Sequence, residues 1–308
     1  MTVQRQNPFN ALQAELRTIR PACDLGRVLR LTRDHLDVAG LEQSAAIGNR
    51  VRIGEDVYGE VVRIDQEGCR VMTEGATEGL RLGMPVANVG QPLIAPSSSW
   101  LGRIVDPDGR PMDGQPLFPG DRPRALAGAP PPPAQRRGLG PRLSTGLAVF
   151  DTLLPIARGQ RLGLFAGSGV GKSRLLGALA QNTEADVIVI GLIGERGREV
   201  RDFVEHTLPE TARRRSVVVA ATSDRPALTR ARAAMAMMAV AEHFRDEGRN
   251  VLLLSDSITR FVEAQAEVAA AAGEPFSPNG FPASMAQTAM SLAGRAGPGT
   301  GLGGGFLG

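Results

Sequence analysis

Cysteine and long apolar runs are both scarce in this sequence. Its two cysteines, Cys23 and Cys69, lie far apart with no second pair beside them, so neither a disulfide framework nor a zinc site is expected. The longest apolar run, residues 233–241, is shorter than the roughly 20 residues that a membrane helix needs. No apolar stretch follows a basic start, which argues against a secretion signal. We therefore expect reduced thiols and a cytoplasmic protein.

Aromatic residues and lysine are also rare. Aromatics make up 4% of the residues, with one tryptophan and one tyrosine, and the formal net charge of +3 comes from arginines scattered along the chain. Proteins that bind single-stranded nucleic acid combine a basic surface with aromatic side chains on which the bases stack, and the scattered arginines and few aromatic residues of this sequence do not indicate such a surface. No nucleic-acid partner is therefore predicted. The sequence contains a single lysine, Lys172, which directs attention to the residues around it.

The N-terminal third of the chain predicts a helix followed by a small β domain. Apolar residues recur at spacings of three and four within residues 1–20, which predicts an amphipathic helix ending before Pro21. Its apolar stripe consists of Phe9, Leu12, Leu16 and Ile19. Residues 21–92 then carry short β-branched runs separated by Gly, Asp and Glu turns, a pattern typical of a small β-barrel or sandwich.

A change of pattern near residue 143 indicates a second domain. Residues 93–142 are rich in turn signals and include the proline run 130–133, which predicts an extended, semi-rigid connector. Residues 143–296 alternate strand-like and helix-like segments, which predicts an α/β domain with a parallel sheet covered by helices on both faces. The predicted strands are residues 161–166, 186–193, 216–221 and 250–255, and the predicted helices are residues 172–181, 198–206, 227–246 and about 257–272. Residues 297–308 form a glycine-rich tail.

The sequence AGSGVGKS at residues 166–173 has the strand, loop and helix context of a nucleotide-binding phosphate loop. Glycines let consecutive backbone N–H groups point at an anion, and the following helix adds the positive end of its dipole. Lys172 would supply a mobile charge for the β- and γ-phosphates, and the Ser173 hydroxyl would bind Mg²⁺. The alternative is a flexible glycine turn without a ligand. The predicted nucleotide-binding residues are Gly167, Ser168, Gly169, Val170, Gly171, Lys172, Ser173 and Arg174.

Hydrolysis also requires acidic residues. Two candidates, Asp256 and Glu195, lie where predicted strands end. Asp256 would emerge beside the phosphate loop and complete the Mg²⁺ shell, with a helix N-cap as the alternative role. Glu195 is the candidate for orienting the attacking water, and the neighbouring Arg196 is expected to lower its pKa. The alternative for Glu195 is a solvated charge at a helix start. Arg196, Arg198 and Arg260 are candidates for phosphate contacts or for surface ion pairs.

Three motifs together resemble the flagellar and type III secretion export ATPases, which are relatives of the rotary ATP synthase catalytic subunit. The motifs are AGSGVGKS at residues 166–173, IGERGREV at residues 193–200 and LLLSDSITR at residues 252–260. The likeness extends from the turn at residues 102–114 to the Gly-Phe-Pro at residues 280–282. The resemblance implies a RecA-like P-loop NTPase core preceded by an N-terminal β-barrel. It also implies ATP hydrolysis with Mg²⁺, coupled to type III protein export, with flagellar export preferred.

The resemblance implies residue roles and partners as well. Glu195 matches the glutamate that polarises the attacking water, and Arg196 and Arg260 match arginines near the γ-phosphate, so these three and Lys172 are the implied catalytic residues. The implied partners are further copies of the chain in a homo-hexamer, a regulatory stator-like protein that binds the N-terminal helix, the export gate and chaperone–cargo complexes. The protein would be cytoplasmic and would reach the membrane only through these partners.

A departure from the family leads to a second hypothesis. Family members continue well past Arg295 with further core strands, an arginine that reaches into a neighbour's site and a helical C-terminal domain, whereas this chain ends in the glycine-rich tail. We therefore expect an incomplete core, and a truncated nucleotide-binding fragment with little turnover stays as an alternative. A ring translocase acting on RNA is a third hypothesis, and the single tryptophan and tyrosine argue against it.

Overall fold

The computed structural model describes residues 22–299 except 34, 168 and 279, together with Leu16 and residues 306–307. Apart from Leu16, the amphipathic helix predicted over residues 1–20 lies outside this part of the chain. The described N-terminal strands are Leu25–Leu31 (β1), Leu36–Ala39 (β2), Arg50–Ile53 (β3), Val57–Asp65 (β4), Gly68–Thr73 (β5) and Pro85–Gly90 (β6).

Strands β1 to β6 close into an antiparallel barrel in the order β1-β2-β5-β4-β3-β6. Successive side chains on a strand point to opposite faces, so alternate positions fill the interior. The interior residues include Val28, Leu36, Val38, Val51, Ile53, Val61, Cys69, Val71 and Val86. Cys69 is a buried free thiol in this core, and Cys23 is an exposed one. The predicted β-barrel is thereby confirmed.

The second domain contains a parallel sheet with the order β13-β12-β10-β11-β8. Its strands are Ile104–Val105 (β8), Val187–Glu195 (β10), Ser216–Thr222 (β11), Val251–Asp256 (β12) and Phe306–Leu307 (β13), while Leu93–Ile94 (β7) and Arg124–Ala125 (β9) form a separate antiparallel pair. Strand β8 comes from the stretch predicted to be a connector, and Trp100, Val105 and Leu126 of that stretch are buried in the core beside the sheet. We therefore propose that this part of the stretch belongs to the core domain.

Helices cover both faces of the sheet, as predicted. They are Lys172–Asn182 (α1), Gly197–Asp202 (α2), Glu210–Arg213 (α3), Ala227–Asp246 (α4), Ile258–Ala272 (α5) and Ala283–Arg295 (α6), with short 3₁₀ segments at Ser98–Trp100 and Pro133–Gln135 and π-helical segments at Val149–Leu153 and Phe203–Thr207. Successive side chains of β10 point to opposite faces of the sheet and belong to separate parts of the core. Val187, Val189 and Ile193 pack on the side of α4 and α5, whereas Ile188, Ile190 and Leu192 pack on the side of α1. No helix within the described ranges is both long and apolar enough to cross a membrane.

The strand predicted at residues 161–166 is wrong, because this segment has no regular secondary structure. A strand needs a hydrogen-bonding neighbour, and in the described part of the chain the outer edge of β12 pairs with β13 instead. Leu162 and Leu164 still pack against the core on the α1 side, but Phe165 is 98% exposed. The apolar run at residues 161–166 therefore reflects packing against the core but not membership of the sheet. The predicted helix at residues 198–206 is α-helical only in its first part, α2, and continues as the π-helical segment Phe203–Thr207. Helix α6 was not predicted.

A buried ionic cluster joins the barrel to the core. Arg232 of α4 is 4% exposed, and its guanidinium donates to Glu60 Oε2 at 2.8 Å and Glu74 Oε1 at 2.7 Å. Arg50 of β3 donates to Glu74 Oε2 at 2.6 Å and to Asp108 Oδ2 at 2.8 Å. Buried charges are stable only when they are paired, so this cluster fixes how the two domains dock.

Removal of the central arginine tests this docking. Arg232→Ala leaves buried carboxylates without their main partner, so we expect it to lower the free energy of unfolding by about 3 kcal/mol. Chemical denaturation followed by circular dichroism measures this loss. Arg201→Ala is the control, because Arg201 forms an exposed ion pair with Glu205 and should contribute less than about 1 kcal/mol. An equal effect of the two substitutions would contradict the assignment.

Candidate functional site

The glycine loop leads directly into α1, which begins at Lys172. Gly169 and Gly171 have φ angles of +78° and +97°, a region that strongly favours glycine. A Cβ atom at Gly167, Gly169 or Gly171 would meet nothing within 4 Å, so the loop borders open space. The first turn of α1 has no side-chain cap, which leaves its backbone N–H groups available to an anion. Ser168 lies outside the described residues, and Val170 and Arg174 are exposed.

Lys172 and Ser173 meet Asp256 across the carboxyl end of the sheet. Lys172 Nζ lies 2.5 Å from Asp256 Oδ1, and Ser173 Oγ donates to Asp256 Oδ2 at 3.4 Å. Asp256 is the last residue of β12 and is buried. Its alternative role as a helix N-cap is not supported, because Ser257 occupies the N-cap position of α5. The structure therefore brings together three of the residues predicted to bind phosphate and metal.

Glu195 ends β10 at the same edge of the sheet and is half-buried. Burial raises the pKa of Glu195 to about 7, and the charge of Asp256 and a hydrogen bond with Glu199 act in the same direction, while Lys172 opposes them. The expectation that Arg196 lowers this pKa is wrong. Arg196 faces Glu199 instead, with 3.6 Å between Nη1 and Oε1. Glu195 can therefore change its protonation state near neutral pH.

The two predicted catalytic arginines have partners on their own helices or beside them. Arg260 Nη1 donates to Glu263 Oε2 at 3.0 Å, and Arg196 pairs with Glu199. The Arg260 side chain lies over Gly194, where an added Cβ atom would be 3.0 Å from Arg260 Cβ. Arg260 is thus held next to Glu195. Arg198 instead borders a shallow groove on the surface of α2.

Glu199 is the residue of this site that the sequence interpretation missed. It hydrogen-bonds Glu195 and pairs with Arg196, so it links the base candidate to one arginine candidate. Its signal in the sequence was its position four residues after Glu195, within the same motif IGERGREV. That spacing alone would not have distinguished it from an exposed charge on α2.

The raised pKa of Glu195 predicts a pH-dependent stability. A carboxyl group whose pKa is higher in the folded state than in the unfolded state favours folding at low pH, and that contribution disappears as the pH rises toward about 7. Glu195→Gln carries no titrating group at this position. Between pH 5 and pH 7.5, its free energy of unfolding should therefore rise relative to that of the native chain. Denaturant titrations at several pH values test this. A constant difference across that range would contradict the raised pKa.

Comparison with known proteins gives consistent matches. A profile described as "ATP synthase alpha/beta family, nucleotide-binding domain" matches residues 146–305, which include Lys172, Glu195 and Asp256. The flagellum-specific ATP synthase of Caulobacter vibrioides is 44% identical over 298 residues, which cover 94% of this chain and 67% of that protein. The type 3 secretion system ATPase of Xanthomonas euvesicatoria is 41% identical over 292 residues, covering 94% and 66%.

Solved structures agree with these matches. The assembled ATPase EscN from the type III secretion system of enteropathogenic E. coli has a TM-score of 0.84 and 37% identity, covering 92% of this chain and 68% of that one. EscN in complex with its central stalk EscO has a TM-score of 0.83 and covers 91% and 69%. This chain spans only 59% to 67% of the length of the first curated relatives that it matches.

Proposed function

Because the chain belongs to the ATP synthase alpha/beta family and is similar to a flagellum-specific ATP synthase and to a type 3 secretion system ATPase, we propose that it binds ATP and hydrolyses it to ADP and phosphate in support of type III protein export. The observation that carries this proposal is the convergence of Lys172, Asp256 and Glu195 at one edge of the sheet. Phosphoryl transfer to water requires a loop that binds phosphate, a carboxylate that completes the metal shell and a titratable acid.

The phosphate loop supplies the binding energy in this proposal. Backbone N–H groups of residues 167–174 surround the β- and γ-phosphates, and the Lys172 ammonium neutralises their charge. In the structure Lys172 contacts Asp256, so its positive charge already lies at the carboxyl edge of the sheet. A triphosphate bound there would replace Asp256 as the anionic partner of Lys172.

The oxygens of Ser173 and Asp256 suit Mg²⁺. They are hard ligands that already lie within 3.4 Å of each other, and Mg²⁺ commonly uses one or two protein oxygens together with waters and phosphates. In the described part of the chain no cluster of three or more His, Cys, Asp or Glu residues could hold a metal by itself. When bound, the ion would neutralise charge on the phosphates.

Glu195 is the proposed residue that orients and deprotonates the attacking water. A pKa of about 7 lets the carboxylate accept a proton at neutral pH and return it afterwards. Arg196 and Arg260 are the proposed contacts to the γ-phosphate, where their charge would stabilise the transition state. Each would first leave the carboxylate of Glu199 or Glu263 that it contacts in the structure.

We also propose that the chain acts in an assembly. EscN is described as assembled and in complex with a central stalk, which supports a homo-oligomer, a hexamer in our proposal, and a stalk-like protein partner. A regulatory stator-like protein on the N-terminal segment, the export gate and chaperone–cargo complexes remain proposed partners, and the cytoplasm at the export apparatus remains the proposed location. We propose no nucleic-acid partner.

Binding without turnover is the second candidate function, and one observation favours it. Residues 161–166, which lead into the phosphate loop, pair with no strand in the described part of the chain. A loop without that support is expected to hold the γ-phosphate less rigidly, and hydrolysis is more sensitive than binding to such misplacement.

Two substitutions separate binding from hydrolysis. Lys172→Ala removes the phosphate charge partner, so we expect ATP affinity to fall by about 10- to 100-fold. Glu195→Gln keeps the phosphate site, so we expect affinity to be nearly unchanged while phosphate release falls by about 100-fold or more. Fluorescent-nucleotide titration and steady-state phosphate release measure the two effects.

Arg201→Ala is the control for both assays, because the Arg201 side chain is 79% exposed and forms an exposed ion pair with Glu205. Unchanged ATP affinity in Lys172→Ala would contradict the site. Binding in the native chain with no phosphate release would select the second candidate function.

A further inference from the structure

Helix α5 runs from the candidate nucleotide site to the β-barrel. It begins at Ile258, two residues after Asp256, and ends at Ala272. Its 15 residues span about 22 Å at 1.5 Å per residue. Near its end it contacts β4 and β5 of the barrel. One rigid element therefore touches both the edge of the sheet where Lys172 lies and the N-terminal domain.

The first turn of α5 is tied to the site through contacts with β10 as well as through the chain. Arg260 lies against Gly194, and that glycine has a φ of +70°. A side chain at position 194 would push Arg260 away, because its Cβ would come within 3.0 Å of Arg260 Cβ. A small displacement of Glu195 or Asp256 would therefore move the first turn of α5.

The last turn of α5 is held by an arginine of the barrel. Arg70 Nη1 donates to the backbone oxygen of Ala271 at 3.5 Å, and Arg70 Nε donates to Asp37 Oδ1 at 3.2 Å. Gly273 caps the helix in the left-handed conformation, and a Cβ there would lie 3.3 Å from Arg63 Nη1. Cations are favourable at a helix C-terminus, where carbonyl groups lack partners. Asp37 in turn fixes the direction of the Arg70 side chain.

Between its two ends, α5 packs on α4. Phe261 and Ala264 of α5 are buried in one apolar cluster with residues of α4 such as Ala234 and Met237. Packed helices can slide slightly against each other as units. A shift at the first turn of α5 would then reach its last turn along the helix axis.

We propose that α5 couples the nucleotide site to the barrel, through the contact of Arg70 with the C-terminal end of α5. The coupling rests on the proposed function, since it takes the ligand of the site to be a magnesium-bound nucleoside triphosphate. Nucleotide binding changes the position of α5 and hence the contact at Arg70. By thermodynamic linkage, the contact at Arg70 changes nucleotide affinity to the same extent.

Arg30 provides a matched control for Arg70. Arg30 also pairs with Asp37, at 3.5 Å between Nη1 and Oδ2, but its side chain is 69% exposed. Arg70 donates directly to α5, whereas within the described residues Arg30 forms its ion pair with Asp37 and no hydrogen bond to that helix. Arg30→Ala and Arg70→Ala therefore remove the same charge from the same carboxylate, and only the second releases the helix.

Hydrogen exchange with and without magnesium and a non-hydrolysable ATP analogue tests the proposal. In the native chain and in Arg30→Ala, we expect the analogue to slow exchange at residues 166–174 and also at residues 68–73 and 268–273. In Arg70→Ala, we expect the slowing at residues 166–174 to persist and the slowing at residues 68–73 to disappear. We also expect affinity for the analogue to fall by about fivefold, the lower end of typical allosteric couplings.

Arg70→Lys keeps a cation at the helix end and is expected to retain the response of residues 68–73. It also separates coupling from folding if Arg70→Ala is too unstable to measure. An undiminished response of residues 68–73 in Arg70→Ala, or in the native chain no response there despite slowed exchange at residues 166–174, would overturn the coupling alone. A native chain in which residues 166–174 also fail to respond would overturn the proposed function together with it.

Discussion

The contact between Lys172 and Asp256 is the interaction on which the proposed chemistry depends. It joins the start of α1 to the end of β12, and the ammonium compensates a carboxylate that is buried at the edge of the sheet. If Lys172 pointed to solvent, the carboxylate of Asp256 would lack its nearest counter-charge. One ion pair therefore stabilises this end of the sheet and also holds the positive charge where a triphosphate would need it.

The register of the parallel sheet adds the third component. Leu192 of β10 lies opposite Asp256 of β12, so Glu195 extends three residues beyond the level of Asp256. Parallel strands end at the same edge, which is why residues far apart in the chain meet there. Burial keeps the pKa of Glu195 high, the nearby carboxylates of Asp256 and Glu199 add to this effect, and Lys172 limits it. The fold thus gives the two acids different surroundings: Asp256 is paired with a lysine, and Glu195 lies half-buried with a pKa of about 7.

Local patterns predicted the barrel, the three paired strands of the core and the positions of the site residues, because burial periodicity and strand ends are encoded within a few residues. They failed where the answer depends on distant neighbours. The run at residues 161–166 is apolar but has no strand to pair with in the described part of the chain. The pKa of Glu195 depends on burial and Asp256 rather than on the adjacent Arg196. The acidic partners of Arg232 come from segments far away in sequence, so no local pattern announces that cluster.

The solitary lysine has a chemical consequence. Every other long basic side chain in this sequence is arginine, and the Lys172 amine is the one lysine amine on which an acylating reagent could act. Its Nζ is held against Asp256, inside the candidate site. Labelling of lysine side chains, which in most proteins samples the whole surface, would here report on a single side chain at the mouth of the phosphate loop, and crosslinkers that join pairs of lysines would find no second lysine in the sequence.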